Sequence, residues 1–108
     1  MGGKVKHVTS EAEWNSERAN AGGKLIVVDF FAQWCGPCKK IAPYIEQLSN
    51  ELSDVVFLKV DVDELPDIAA KEDIKAMPTF RFYKGGQTVG ELVGASQTKL
   101  KELIDAKK

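Results

Sequence analysis

Long apolar runs and helically spaced apolar positions alternate along the chain. Leu25–Phe31 is apolar throughout except at Asp29, and residues 55–60 form a second run of this kind. Such runs are typical of strands whose two faces are both covered, as in parallel α/β sheets. Between the two runs, beyond Cys38, apolar residues recur at the spacing of one helix face, which predicts a long amphipathic helix. Its apolar positions are Ile41, Tyr44, Ile45, Leu48 and Leu52.

Shorter segments predict the elements around these. A strand is expected at residues 5–8, and Ser10 with Glu13 has the spacing of a capping box for a helix that ends near Asn20. A further short helix is expected at residues 65–72.

The last third of the chain predicts a hairpin and a closing helix. Residues 79–83 and 88–93 read as strands that flank the turn Lys84-Gly85-Gly86-Gln87. A final helix begins at Ser96, with an apolar face formed by Leu100, Leu103 and Ile104. The order β-α-β-α-β-α-β-β-α predicts an α/β fold with a central mixed five-stranded sheet and four helices covering both faces.

Length and charge limit the possible classes of function. A chain of 108 residues suits one domain, so we expect a single domain over residues 1–108. With 15 basic and 16 acidic residues the net charge is −1. This balance predicts neither a nucleic-acid partner nor a membrane partner. The N-terminal segment lacks the apolar core of a signal peptide and no apolar stretch reaches membrane-spanning length, so we expect a cytoplasmic protein.

Two cysteines, Cys35 and Cys38, are separated only by Gly36 and Pro37. A disulfide that closes so short a loop stabilises a fold by only roughly 2 kcal/mol. A reactive role therefore explains the pair better than a structural cross-link does. It falls where a buried strand meets a long helix, the edge at which α/β sheets place their active sites. The positive helix N-terminus favours thiolate over thiol. The spacing therefore indicates thiol–disulfide exchange, with Cys35 attacking and Cys38 resolving.

Zinc is the main alternative use of such a cysteine pair. A closed zinc site needs four ligands, whereas the chain offers two cysteines and the single His7 in a different predicted strand. Zinc would require ligands from a second chain, and we expect no metal. Inert core cysteines are a further alternative, and His7 is expected to be an ordinary strand residue.

Residues 28–40 (VDFFAQWCGPCKK) resemble the active-site segment of the thioredoxins. The likeness extends, in the order and spacing of that family, through residues 42–43 (AP), 59–63 (KVDVD), 76–80 (AMPTF) and 93–95 (VGA), and it is closest to the eukaryotic cytosolic members. The resemblance implies the thioredoxin fold and a protein-disulfide reductase. It also implies that no cofactor is bound, because the dithiol is itself the redox group.

Asp29 is a carboxylate inside an apolar strand, and burial raises the pKa of such a group. The resemblance implies that Asp29 assists proton transfer at Cys38 through water, with Lys59 as its electrostatic partner. A structural Asp29–Lys59 ion pair is the alternative, and the two roles are compatible.

The resemblance also implies a flat apolar surface for docking substrates beside the cysteines. In it Trp34 is partly exposed, Pro78 follows a cis peptide bond, and the backbone of Met77 can pair with an extended substrate segment. The implied surface consists of Trp34, Gly36, Pro37, Met77, Pro78, Val93, Gly94 and Ala95. Trp14, on the first predicted helix, is expected only to pack.

Family partners of such a protein are thioredoxin reductase as electron donor and, as targets, peroxiredoxins, methionine sulfoxide reductase and ribonucleotide reductase. The implied cellular roles are electron transport and redox homeostasis. With no cysteine outside the active-site pair, we expect a monomer. The alternatives are a disulfide isomerase or oxidase, which typically carries His before the second cysteine, and a non-catalytic binding module, which would not need the cysteines.

Overall fold

Five strands and four helices follow the predicted order within residues 4–108, the part of the chain that the computed structural model describes. The first three residues of the predicted domain lie outside it. The elements are β1 (Lys6–His7), α1 (Glu11–Asn20), β2 (Leu25–Phe31), α2 (Gly36–Glu51), β3 (Val55–Asp61), α3 (Pro66–Lys71), β4 (Thr79–Lys84), β5 (Gln87–Val93) and α4 (Gln97–Lys107).

The sheet is mixed, as predicted, and its strand order is β1-β3-β2-β4-β5. Strand β2 lies at the centre, parallel to β3 and antiparallel to β4. The carboxyl ends of β2 and β3 therefore meet at one edge of the sheet, and the segment that carries the cysteines leaves from that edge.

Alternate residues of β2 enter two different apolar clusters. Leu25 and Val27 pack in a cluster with residues of α2 and α4, whereas Ile26, Val28 and Phe30 pack with residues of α1 and α3. Helices therefore cover both faces of the sheet. Because side chains alternate along a strand, Asp29 belongs to the face covered by α2 and α4.

Several boundaries differ from the sequence predictions. Strand β1 is reduced to two residues, since the chain turns away after Val8 toward the N-cap Ser10 of α1. Helix α3 begins at Pro66 rather than Leu65, because a residue that precedes proline is disfavoured in helical geometry. The hairpin turn tightens to Gly85 and Gly86, with φ of 61° and 79°, and the strands extend to meet it.

Candidate active site

The N-terminus of α2 holds the two cysteines. Cys35 is the N-cap residue, with extended backbone angles, and its Sγ accepts the backbone N–H of Cys38 at 3.2 Å. Pro37 lies in the first helical turn, where a missing donor costs nothing. Cys35 and Cys38 form a disulfide with their Cα atoms 5.3 Å apart, so the structure describes the oxidised protein.

Both cysteines are buried. Cys35 is 5% exposed and Cys38 is 4% exposed, so burial does not distinguish them. What separates them is their surroundings. Cys35 caps the helix beside an exposed loop, whereas Cys38 lines a cavity that is partly open to solvent.

The Met77–Pro78 peptide bond is cis, which confirms that prediction. The carbonyl oxygen of Met77 lies 3.7 Å from Sγ of Cys35. The carbonyl of Pro78 accepts the N–H of Gly94 at 2.9 Å, and Gly94 has φ of 109°, a conformation that favours glycine. These contacts bring two distant loops to the disulfide.

An apolar surface surrounds the disulfide. Trp34 and Val93 are 68% and 57% exposed, and they are the large hydrophobic side chains that stand out to solvent among the described residues. Gly36, Pro37 and Ala95 are also exposed, while Met77 and Gly94 are half-buried and Pro78 is buried. We call the eight predicted positions the docking surface: Trp34, Gly36, Pro37, Met77, Pro78, Val93, Gly94 and Ala95.

Asp29 lies beneath α2 at the wall of a cavity of about 290 Å³. Cys38 and Lys59 line the same cavity, together with Phe31, Ala32, Gln33, Lys39 and Ala42. Oδ1 of Asp29 is buried and has no hydrogen-bond partner among residues 4–108. Burial raises the pKa of Asp29 to about 7, although the charge of Lys59 acts in the opposite direction.

Lys59 is the register partner of Asp29 on the neighbouring parallel strand. The lysine is half-buried rather than buried, and its Nζ lies 5.9 Å from the centroid of the Phe31 ring. Within the described part of the chain, no ion pair of 4.0 Å or less joins Lys59 to Asp29. The two charges interact through space, and Lys59 acts on the pKa of Asp29 without a direct ion pair.

An acidic loop supports Trp34, and the sequence prediction missed it. The Trp34 Nε1–H donates to Oδ2 of Asp63 at 2.9 Å. Buried Asp61 accepts the Asp63 N–H at 2.9 Å and the Gln33 side-chain amide at 3.2 Å. A signal existed, because Asp61 ends β3 and Asp63 follows it, at the sheet edge where β2 also ends.

The remaining candidates have structural surroundings. His7 is exposed and bonds Glu64 at 3.0 Å. Trp14 is buried, with its ring edge-on to Phe30 and Tyr83. Residues 4–108 contain no group of three or more His, Cys, Asp or Glu side chains placed to hold a metal. None of the helices in that range is long and apolar enough to cross a membrane.

Comparison with known proteins identifies the family. The family model described as Thioredoxin matches residues 5–106. Thioredoxin 1 of Plasmodium falciparum is 50% identical over 101 residues, covering 94% of this chain and 95% of the relative. The thioredoxin of Rattus norvegicus is 52% identical over 100 residues, covering 93% and 95%. The X-ray structure of Fasciola hepatica thioredoxin superposes with a TM-score of 0.94 at 47% identity, covering 96% of this chain and 100% of that one.

The relatives match at the level of sequence and of fold, and nothing in them favours an isomerase or a binding module. The disulfide between Cys35 and Cys38 is the redox group of a thiol–disulfide oxidoreductase. The chain therefore belongs to the thioredoxin family and is a protein-disulfide reductase.

Proposed function

We propose that Cys35 is the attacking thiol and Cys38 the resolving thiol of this reductase. The observation that carries the assignment is the bond from the Cys38 N–H to Sγ of Cys35 at the start of α2. In the reduced protein this donor and the positive helix end stabilise a thiolate on Cys35. Cys35 also adjoins the docking surface, whereas Cys38 faces the cavity of Asp29.

The reaction moves two electrons from the dithiol to the target disulfide. The Cys35 thiolate attacks one target sulfur, which forms a mixed disulfide and releases the other target sulfur as a thiolate. Cys38 then loses its proton and attacks Sγ of Cys35. The Cys35–Cys38 bond forms, the mixed disulfide breaks, and the two target sulfurs leave as thiols after taking up two protons.

Asp29 accepts the proton of Cys38 in the second step and returns one in the reverse direction. Its pKa of about 7 makes both protonation states available near neutral pH, as a proton acceptor requires. Both side chains line the 290 Å³ cavity, which has polar side chains in its lining and is large enough for water to relay the proton. Lys59, across the cavity, stabilises the carboxylate form of Asp29.

The docking surface holds an extended segment of the target. Exposed Trp34 and Val93 offer apolar area, and Gly94 lets a backbone approach closely. The backbone of Met77, beside Sγ of Cys35, pairs with the target segment in the manner of strand addition.

The electron donor is a thioredoxin reductase, and the targets are protein disulfides such as those of peroxiredoxins, methionine sulfoxide reductase and ribonucleotide reductase. The cycle contributes to electron transport and redox homeostasis in the cytoplasm, a reducing compartment that suits a reducing dithiol. The chain works as a monomeric single domain, without nucleic acid or membrane. Family membership supports these assignments, and the two cysteines are fully used by the active site.

Trapping with single-cysteine variants tests the two thiol roles. Reduced Cys38→Ser, mixed with a disulfide-linked peptide, accumulates a mixed disulfide at Cys35 that mass spectrometry detects. Reduced Cys35→Ser accumulates little, because its remaining thiol is away from the docking surface. Trapping at Cys38 instead would contradict the assignment. The double Cys→Ser variant is the control, and target function that survives in it would favour a binding module.

A further inference from the structure

A second groove opens on the side of the disulfide away from Asp29. It encloses about 250 Å³ between the start of α2 and the start of α4. Its lining consists of Gly36, Pro37, Lys40, Ile41, Ala95 and Gln97. We call it the side groove. Gly36, Pro37 and Ala95 also belong to the docking surface, so a segment held against the disulfide can continue into the side groove.

The charge in the side groove comes from Lys40. This lysine is exposed, and within residues 4–108 it has no hydrogen bond or ion pair. No acidic side chain lines the groove. Its neighbour Lys39 lines the Asp29 cavity instead, so the two lysines line different cavities. Lys40 therefore offers an unpaired positive charge at the edge of an otherwise apolar recess.

The opposite end of the docking surface carries negative charge. There Trp34 donates to the carboxylate of Asp63, which is exposed. A target segment lying across the disulfide thus meets a cation at one end and an anion at the other. Complementary charge at such positions fixes the orientation of a partner more than it adds affinity.

We propose that the side groove receives an acidic side chain of the target, and that Lys40 is the residue that selects for it. The inference rests on the proposed role of Cys35 and deepens it by naming a preferred class of target. Lys40 lies five residues beyond Cys35, which bonds the target cysteine, a rise of about 7.5 Å along α2. An extended chain covers about 3.3 Å per residue, so the acid lies about two residues from the target cysteine.

A peptide series tests this directly. The series has five disulfide-linked peptides. Two carry Glu, either two residues before or two residues after the target cysteine, and two carry Lys at one or the other of these positions. The fifth carries Gln at both positions. Their kcat/KM values are compared for the wild type, Lys40→Glu, Lys40→Gln and the matched control Lys99→Glu. Lys99 is an exposed lysine near the start of α4 that does not line the groove.

The proposal expects Glu to be favoured on one flank alone. Glu on that flank raises kcat/KM over the Gln peptide by roughly 1.5- to 5-fold, the range of an exposed ion pair, and high salt removes the gain. Lys40→Gln abolishes the preference and Lys40→Glu reverses it toward Lys, whereas Lys99→Glu keeps the wild-type ratio.

Three results would overturn the inference. One is equal turnover of all five peptides, and another is the same preference on both flanks, which would reflect net charge. The third is an equal change in ratio with Lys99→Glu. Each of these leaves the role of Cys35 intact, because turnover persists. Absence of exchange at Cys35 with every peptide would instead overturn the proposed function beneath it.

Discussion

Asp29 and Lys59 are register partners on neighbouring parallel strands, yet they form no ion pair. Both line the cavity that reaches Cys38, and Oδ1 of Asp29 has no hydrogen-bond partner in the described chain. The carboxylate is therefore poorly compensated in the apolar strand that holds it. The folded protein is therefore less stable when Asp29 is ionised. The same burial keeps the pKa of Asp29 near 7, so that it can accept a proton beside the resolving thiol.

Stability should depend on pH through Asp29. Its ordinary pKa is 3.8 and its folded pKa is about 7, so the folded state favours the protonated form. The favourable contribution is full below about pH 4 and is lost as pH rises to about 7. Asp29→Asn removes this loss, so the variant should be more stable than the wild type by up to about 4 kcal/mol at pH 8 and equal near pH 4.

Guanidinium unfolding of the oxidised proteins between pH 4 and pH 8 measures this difference. Asp54→Asn is the matched control, because Asp54 is exposed. A gap between Asp29→Asn and wild type that stays constant with pH would refute the argument.

The same substitution should slow resolution of the mixed disulfide. Loss of a positioned proton acceptor costs roughly a hundredfold in rate, at the low end for general base catalysis. Stopped-flow release of target thiol, after the first exchange at Cys35, reports this step. In the wild type the rate should rise through pH of about 7, and in Asp29→Asn that inflection should disappear. An inflection that persists would assign the titration to another group.

Lys59→Met should move the inflection upward from about 7, because removing the positive charge disfavours the carboxylate of Asp29. The measurement is the same pH profile of mixed-disulfide resolution. Lys39→Met is the control, since Lys39 lines the same cavity but is not among the charges that shift the pKa of Asp29. A downward movement, or an equal movement with Lys39→Met, would exclude Lys59 as the tuning charge.

Trp34→Ala should lower kcat/KM for protein disulfides more than for small-molecule disulfides. Trp34 is 68% exposed on the docking surface, and losing an aromatic anchor of an interface costs roughly tenfold in kcat/KM. Reduction of the small, neutral hydroxyethyl disulfide should change much less, because it covers little of the surface. A comparable loss with both substrates would mean that Trp34 acts on the cysteines rather than on docking.

Local patterns in the sequence predict most of the fold. The uninterrupted apolar run of Leu25–Phe31 predicts a covered central strand, and Asp29 stands out within it because a carboxylate there has a desolvation cost. The two cysteines and Pro37 predict a helix N-terminus without any tertiary information. These features depend on residues close together in the chain, so spacing alone reveals them.

Side-chain contacts between distant segments are harder to predict. Asp63 accepts the Nε1–H of Trp34 only because the loops after β2 and β3 meet at one sheet edge. Lys59 stays half-buried because its side chain lines the cavity beside Asp29 and Cys38 rather than the packed core. The side groove exists because α4 begins beside α2, and the spacing of Lys40 along its own helix does not reveal this.

The reduction potential of the Cys35–Cys38 couple tests the central claim most directly. Equilibration against glutathione or dithiothreitol buffers, with the oxidised fraction read by thiol alkylation, gives the value. We expect about −270 mV, the value known for thioredoxin itself, at which the reduced protein donates electrons to target disulfides. A value near −180 mV, that of protein disulfide isomerase, would contradict a reductase, because the chain would then form or shuffle disulfides.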